Sequence, residues 1–169
     1  LSDMKGAKIR VVPSDLYQQL FTAFGAAATP MAFSEVPTAL ITNVIDGQEN
    51  PYSVIVSSAL YEVQKYCMET NHLPTNHGLW MNRNTYESLT PEQQEAVLKA
   101  AYDASAYMDK YILDKVEEYK KICEDNGMEI IDAENGLDID GFKAAAENVY
   151  DYFAEDWGDM PDLIRAVQP

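Results

Sequence analysis

The sequence predicts an α/β fold in which a mostly parallel sheet is flanked by helices and followed by one very long helix. In the first half, short apolar runs alternate with segments whose apolar residues follow helical spacing, as in β-α-β units. In the second half, no glycine or proline occurs after Pro91 until Gly127. One helix of about 35 residues, roughly 50 Å long at 1.5 Å per residue, is therefore expected there.

The elements of the first half follow from periodicity and from turn and cap residues. Ala7 to Val12 is an apolar run that predicts a strand. Ser14 is a typical N-cap for the helix that follows, and Gly25 ends that helix. The remaining expected elements are an extended segment at 29–33, a helix at 35–42 capped by Ser34 and ended by Asn43, a strand at 44–45, a turn at 46–47, a helix starting at Pro51 with Asn50 as its cap, and a strand at 64–70.

The second half is built around the long helix. "TPEQ" at 90–93 is a capping box with proline at the first helical position. A helix of this length exceeds one lobe, so it should bridge two bodies or cross a whole molecule. The other expected elements are a strand at 78–82, a short helix at 84–89, a strand at 128–132, a helix from Asp140 to about Trp157 and a last helix ending near Val167.

The composition excludes some classes of partner. The chain has 28 acidic and 12 basic residues and a net charge of −16, which repels phosphate backbones and anionic membranes. We therefore expect no nucleic-acid binding. An anionic ligand would need a locally positive spot, and three basic residues lie within six positions: Lys5, Lys8 and Arg10.

The compartment does not follow from the residues alone. No apolar run is long enough to span a membrane, and no signal peptide is visible in the sequence. The opening "LSDMKGAKIRVV" resembles a linker entering a strand, so we expect a piece of a longer protein. Cys67 and Cys123 are too far apart in sequence for a metal motif, and two separate thiols are favoured over a disulfide.

Arg10 is the first candidate functional residue. The strands of a covered parallel sheet are normally apolar, yet this strand contains "IRVV". A buried guanidinium is costly unless it is paired or faces a cleft, and its planar fork matches a carboxylate. Two interpretations stay open on the residues alone: a carboxylate-binding site, or a salt bridge with one of the many acidic residues.

The other candidates also have ordinary structural interpretations. Asn50 could bind an anion at a helix N-terminus or simply cap that helix. Phe33 could line a ligand site or act as a hydrophobic staple. His72 and His77 fit no metal motif, and an enzyme using either with nearby carboxylates is the least favoured alternative. No catalytic, cofactor or metal signature is present, so we expect a binding protein without cofactors rather than an enzyme.

Several phrases, taken in order, resemble a known family. They are "MKGAKIRV" at 4–11, "TPMAFSEVPTAL" at 29–40, "VIDGQENPYSVI" at 44–55, "LYEVQKY" at 60–66 and "TNH" at 70–72. The chain is similar to the C4-dicarboxylate-binding (DctP) family, the solute-binding proteins of tripartite ATP-independent periplasmic (TRAP) transporters. "YESLTPEQQEAVLKAA" at 86–101 resembles the long connecting helix of that family.

The resemblance implies roles for five residues. Arg10 stands at the position of the arginine that forms the main salt bridge to the ligand carboxylate, and Asn50 at that of the asparagine that hydrogen-bonds the same carboxylate. Phe33 stands where an aromatic ring packs on the ligand. His77 corresponds to a cleft position, and Tyr17 is expected to face the same cleft. C4-dicarboxylates are the default ligands, but "LPTNHGLW" at 73–80 departs from the dicarboxylate members and leaves the organic acid open.

The resemblance also implies a two-lobed, periplasmic-binding-protein-like architecture. Residues 1–75 and 116–169 would form the second lobe, whereas residues 76–115 would belong to the first lobe and the connecting helix. Without the first lobe, this segment should expose apolar surface and favour self-association or domain swapping. The implied location is the periplasm and the implied partner is a TRAP membrane permease, with a receptor for a sensor kinase as the alternative.

Overall fold

The computed structural model describes residues 1–74 and 78–167. Five strands and eight α-helices alternate along this part of the chain, together with short 3-10 helices at Ser2–Met4, Phe33–Glu35 and Leu60–Glu62. In chain order the elements are β1 (Lys8–Val11), α1 (Asp15–Ala23), β2 (Ala27–Pro30), α2 (Val36–Ile41), β3 (Gly47–Gln48), α3 (Tyr52–Ser57), β4 (Tyr66–Met68), α4 (Arg83–Glu87), α5 (Pro91–Asp125), β5 (Glu129–Ile131), α6 (Ile139–Tyr152), α7 (Ala154–Trp157) and α8 (Met160–Val167).

Two small parallel sheets confirm the predicted α/β class. One sheet has the order β2-β1-β3, and the other pairs β4 with β5. In the first sheet Arg10 lies level with Thr29 on one side and with Gln48 on the other. The side chains of these three residues therefore project from the same face of the sheet.

Each sheet has its own hydrophobic cluster. The first cluster is formed by β1, α1 and α6, where Phe24 packs edge-on against Phe21 and Phe142 at 5.5 and 4.9 Å between ring centroids. The second cluster lies among α2, α3 and the C-terminal end of α5, and it buries Leu60 and Cys123.

The long helix is confirmed. It runs for 35 residues from Pro91 to Asp125 and begins with the predicted capping box, in which Thr90 and Gln93 exchange side-chain and backbone hydrogen bonds. Gly127 follows it with a φ of +89°, a conformation that glycine adopts without strain. None of the described helices combines the length and the apolarity needed to cross a bilayer.

The strand predicted at 44–45 and the turn predicted at 46–47 are wrong. Ile45 instead packs into the core, and Asp46 ties the chain to β1, since its carboxylate accepts the Lys8 N–H at 2.8 Å. Gly47 then starts β3 beside Ile9. A Cβ at Gly47 would lie 3.1 Å from the Ile9 Cδ1 atom, so close approach between strands explains the glycine better than a turn.

Two other predicted elements differ in the second half. Residues 78–82 are exposed and form no strand, because no described strand lies beside them to complete a ladder. The helix predicted from Asp140 to Trp157 is divided into α6 and α7, and its cap is Asp138, whose carboxylate accepts the Gly141 N–H at 3.0 Å.

Apolar side chains are exposed along the segment that contains α4 and most of α5. We call this set the α5 apolar face; its members are Leu79, Trp80, Met81, Val97, Leu98, Tyr102, Tyr107, Met108, Tyr111, Ile112 and Leu113. Near the other end of α5, Cys123 is buried, and it and Cys67 are free thiols whose pKa values are raised, chiefly by burial.

Candidate functional site

Arg10 lies in the middle strand of the three-stranded sheet. Its residue surface is only 3% exposed, and it is the one charged residue that is buried in the described part of the chain. No carboxylate lies within 4 Å of its guanidinium among residues 1–74 and 78–167, so the salt-bridge interpretation has no support there. The guanidinium instead donates to a neutral backbone carbonyl.

One edge of the Arg10 guanidinium is occupied and another is not. Nε and Nη2 donate hydrogen bonds to the Met31 carbonyl oxygen at 3.1 and 2.9 Å. Among the described residues, no protein acceptor is found for Nη1, so the edge formed by Nη1 and the second N–H of Nη2 keeps two parallel donors. That edge is suited to a bidentate carboxylate.

Phe33 lies against the same guanidinium. The Arg10 Cζ atom is 5.6 Å from the centre of the Phe33 ring, and the ring is partly exposed at the start of a 3-10 helix. The cation is thereby held between the Met31 carbonyl and an aromatic ring. The structure thus brings together two of the residues singled out from the sequence.

Asn50 is not a helix cap. The N-cap of α3 is Pro51, and Asn50 lies one residue earlier. Its Nδ2 donates to the Gln48 Oε1 atom at 2.5 Å, and Gln48 Nε2 donates to the Gln64 Oε1 atom at 3.0 Å. This chain of amides orients the Asn50 side chain through its neighbours rather than through the backbone of α3. Gln48 in turn lies level with Arg10 in the sheet.

Tyr17 and Glu49 are neighbours in the site. Burial raises the pKa of the Tyr17 phenol, and the charge of Glu49 adds to the rise. Burial lowers the pKa of Arg10, and the same Glu49 charge opposes that effect. Glu49 therefore acts electrostatically on both residues, although the sequence argument did not select it. The available signal was its place between Gln48 and Asn50.

His72 joins this group from the segment after β4. Its Nε2 atom lies 3.8 Å from a Glu49 carboxylate oxygen, and its Nδ1 atom is 2.7 Å from the Thr70 hydroxyl. The imidazole also packs edge-on against Phe21 at 5.2 Å. Among the described residues, the buried Nε2 atom has no hydrogen-bond partner. His77, the other histidine, lies outside the described residues.

A groove of about 840 Å³ runs beside the sheet. Tyr17, Gln48, Glu49 and Asn50 line part of it, whereas Arg10 does not and instead points toward Met31. The predicted residues therefore form two adjoining groups, Arg10 with Phe33 and Tyr17 with Asn50, which Glu49 links electrostatically.

Comparison with known proteins places this arrangement in a family. Residues 1–156 match the family model described as bacterial extracellular solute-binding protein, family 7. The 2,3-diketo-L-gulonate-binding periplasmic protein YiaO of Escherichia coli is 35% identical over 98% of this chain and 50% of its own length. The ectoine-binding periplasmic protein TeaA of Halomonas elongata is 34% identical over 94% of this chain and 47% of its own length.

Solved structures agree with the sequence comparisons. A TRAP periplasmic solute-binding protein from Sulfitobacter sp. NAS-14.1 with bound β-D-galacturonate superposes with a TM-score of 0.87 at 34% identity, covering 96% of this chain and 53% of that protein. The chain thus spans about half the length of the relatives it matches. With most of its residues inside the family match, the chain belongs to the bacterial extracellular solute-binding proteins of family 7.

Proposed function

We propose that this chain supplies the second lobe of a TRAP-type solute-binding protein, which binds an organic acid through its carboxylate and delivers it to a membrane permease. The observation that carries the proposal is the buried guanidinium of Arg10, which has no carboxylate partner among the described residues and keeps one donor edge free. The family is one of binding proteins, so the proposed mechanism is binding and closure without catalysis.

Each site residue has a proposed role. Arg10 forms the bidentate salt bridge to the ligand carboxylate, and Asn50 donates its second Nδ2 N–H to the same group. Phe33 covers one side of the guanidinium and packs on the ligand. Tyr17 lines the groove on the side of Glu49 and contacts the remainder of the ligand. His77 keeps its sequence-based assignment to the cleft.

The lobe boundaries are also part of the proposal. Residues 1–75 and 116–169 form the second lobe, and residues 76–115 belong to the first lobe and its connecting helix. The α5 apolar face supports this division, since all of its members lie within residues 76–115. Apolar surface of that extent is normally covered by another part of the molecule or by a partner.

The proposed ligand is a more specific class than "organic acid", and it differs from the C4-dicarboxylates that the resemblance gives as default ligands. The named ligands of two relatives are a diketo sugar acid and a uronate, and that of a third is ectoine. The amides of Gln48, Gln64 and Asn50 offer donors and acceptors suited to hydroxyl groups. We therefore propose a hydroxylated monocarboxylate as the first ligand to test, with C4-dicarboxylates second.

The proposed location and partner follow the relatives. YiaO and TeaA are described as periplasmic, and the Sulfitobacter protein is described as a TRAP periplasmic solute-binding protein. We propose the periplasm and a TRAP permease for the intact protein. No observation on the described residues favours the sensor-kinase alternative.

A thermal-shift screen of the intact protein tests the proposed function. The ligands are D-galacturonate, D-galactonate, succinate and ectoine, with neutral D-galactose as the matched control. At least one acid should raise the melting temperature, because a ligand that binds only the folded state stabilises it, and galactose should not. A shift with galactose equal to that with the acids would contradict carboxylate recognition, as would no shift with any acid.

A further inference from the structure

A partly buried polar network lines the same groove as Asn50, beside the loop that contains it. The Tyr52 hydroxyl donates to the Glu69 Oε1 atom at 2.6 Å, and Lys120 Nζ approaches the same oxygen at 3.0 Å. Lys120 also lies 3.9 Å from an Asp132 carboxylate oxygen. We call these four residues the Glu69 network.

The network joins four separate elements. Tyr52 is the first residue of α3, two positions after Asn50, and Glu69 directly follows β4. Lys120 lies in the last third of α5, and Asp132 directly follows β5. Glu69 thus adds a polar link between the start of α3 and the long helix, which also pack directly against each other.

The ion pair of this network is more buried than the other ion pairs of α5. The side chains of Lys120 and Glu69 are 23% and 22% exposed, whereas those of Lys110 and Asp114 are 77% and 62% exposed. A surface pair contributes little, but a shielded carboxylate that accepts from both a phenol and an ammonium restrains both partners. Burial and the hydrogen bond to Glu69 raise the pKa of Tyr52, which keeps the phenol a donor.

The location of the network bears directly on the site. Asn50 is oriented by Gln48 on one side, and on the other side the chain continues through Pro51 into Tyr52. Pro51 restricts the backbone between the two residues, so a displacement of Tyr52 also displaces Asn50. The hydrogen bond from Tyr52 to Glu69 fixes that end of the loop.

We propose that Glu69 is a positioning residue for ligand binding: it holds Tyr52, and through Tyr52 the Asn50 loop, in place against α5. The proposal deepens the proposed function and rests on it, since it assigns the placement of Asn50 to Glu69, a carboxylate that lines the same groove. Under the proposed lobe division, the same contact joins the Asn50 loop to the helix that continues toward the first lobe.

The test uses ligand affinities of the intact protein, measured by calorimetry with the acid that gives the largest thermal shift. Glu69→Gln keeps the shape of the side chain but removes its charge, and we expect affinity to fall about tenfold, as for loss of one charge-assisted hydrogen bond. Tyr52→Phe removes only the donor and should cost about threefold. Asp114→Asn, in the exposed pair on the same helix, should leave affinity unchanged.

A double-mutant cycle distinguishes positioning from general destabilisation. In an Asn50→Ser background, Glu69→Gln should cost less than about twofold, because the group that it positions is gone. An equal loss of affinity in both backgrounds would overturn the proposal, and so would unchanged affinity in Glu69→Gln and Tyr52→Phe. If Glu69→Gln does not fold, as judged by circular dichroism, the same cycle with Tyr52→Phe decides.

Failure of the proposed function gives a different result. In that case the wild-type protein binds none of the acids, and no cycle can be measured. If the wild-type protein binds an acid but the Glu69 and Tyr52 variants bind it equally well, only the positioning role is overturned.

Discussion

Arg10 donates two hydrogen bonds to the carbonyl oxygen of Met31, through Nε and Nη2. The contact fixes the guanidinium plane and satisfies one edge of it with a neutral acceptor. A carboxylate partner in that place would have neutralised the charge, whereas a carbonyl leaves it available. The relationship between these two residues therefore supports the proposed anion site in a strongly acidic protein.

A buried and an exposed leucine together give a test of the core. Leu60 is fully buried, and Leu60→Ala should lower the free energy of unfolding by about 2–5 kcal/mol, since it removes apolar contacts and leaves a cavity. Leu113 is 74% exposed, so Leu113→Ala should change it by less than about 0.5 kcal/mol in the 169-residue chain, measured at a dilution where light scattering gives the mass of one chain. Urea unfolding followed by circular dichroism measures both.

The same Leu113 variant tests the lobe boundaries in the intact protein. If residues 76–115 belong to the first lobe, Leu113 is covered there, and Leu113→Ala should become destabilising by more than about 1 kcal/mol. Equal, negligible effects in the intact protein and in the 169-residue chain would contradict the division.

Self-association of the 169-residue chain is a further expectation. The α5 apolar face exposes Trp80, Tyr102 and Leu113, among others, and surface of this kind is covered by contact between copies. Light scattering should give a mass above the 19.0 kDa of one chain, and Trp80→Ser with Leu113→Lys should reduce it. A clean monomer with little binding of a hydrophobic dye would refute the expectation.

Tyr52 should make stability fall at alkaline pH. The pKa of its phenol is raised above the ordinary value of 10.0, first by burial and then by the hydrogen bond to Glu69. The contribution is fully present below that ordinary value and is lost as pH rises, because only the unfolded state releases the proton easily.

The measurement is urea unfolding between about pH 9 and pH 11. Tyr52→Phe should reduce the fall in stability over this range, whereas Tyr102→Phe, which removes an exposed hydroxyl on α5, should leave it unchanged. Identical pH profiles for wild type and Tyr52→Phe would show that the phenol does not contribute in this way.

Local signals account for what the sequence predicted correctly about the fold. The capping box at Thr90, the absence of breakers and Gly127 together define α5, and each acts within a few residues. The position of β3 could not be predicted in this way, since it depends on the contact of Asp46 with Lys8 and on the approach of Gly47 to Ile9. Such contacts between distant residues leave no periodic pattern.

The candidate site likewise contains residues that the sequence indicated and residues that only the structure shows. Arg10 was detectable because a cation interrupts an apolar strand, but its Met31 partner results from the packing of β1 against β2 and the chain beyond it. The capping interpretation of Asn50 failed because Pro51 takes the cap position. Glu49 was marked only by its place between Gln48 and Asn50, and only the folded chain shows that its charge acts on Arg10 and Tyr17.

The most direct measurement is calorimetric titration of the intact protein and its Arg10→Ala variant with the acid found in the screen. Loss of the guanidinium should weaken binding by about 2–5 kcal/mol, as for truncation of one partner of a buried charge pair. Lys8→Ala, which removes an exposed charge from the same strand, is the matched control and should bind as the wild type does. Unchanged affinity in a folded Arg10→Ala variant would contradict the carboxylate site.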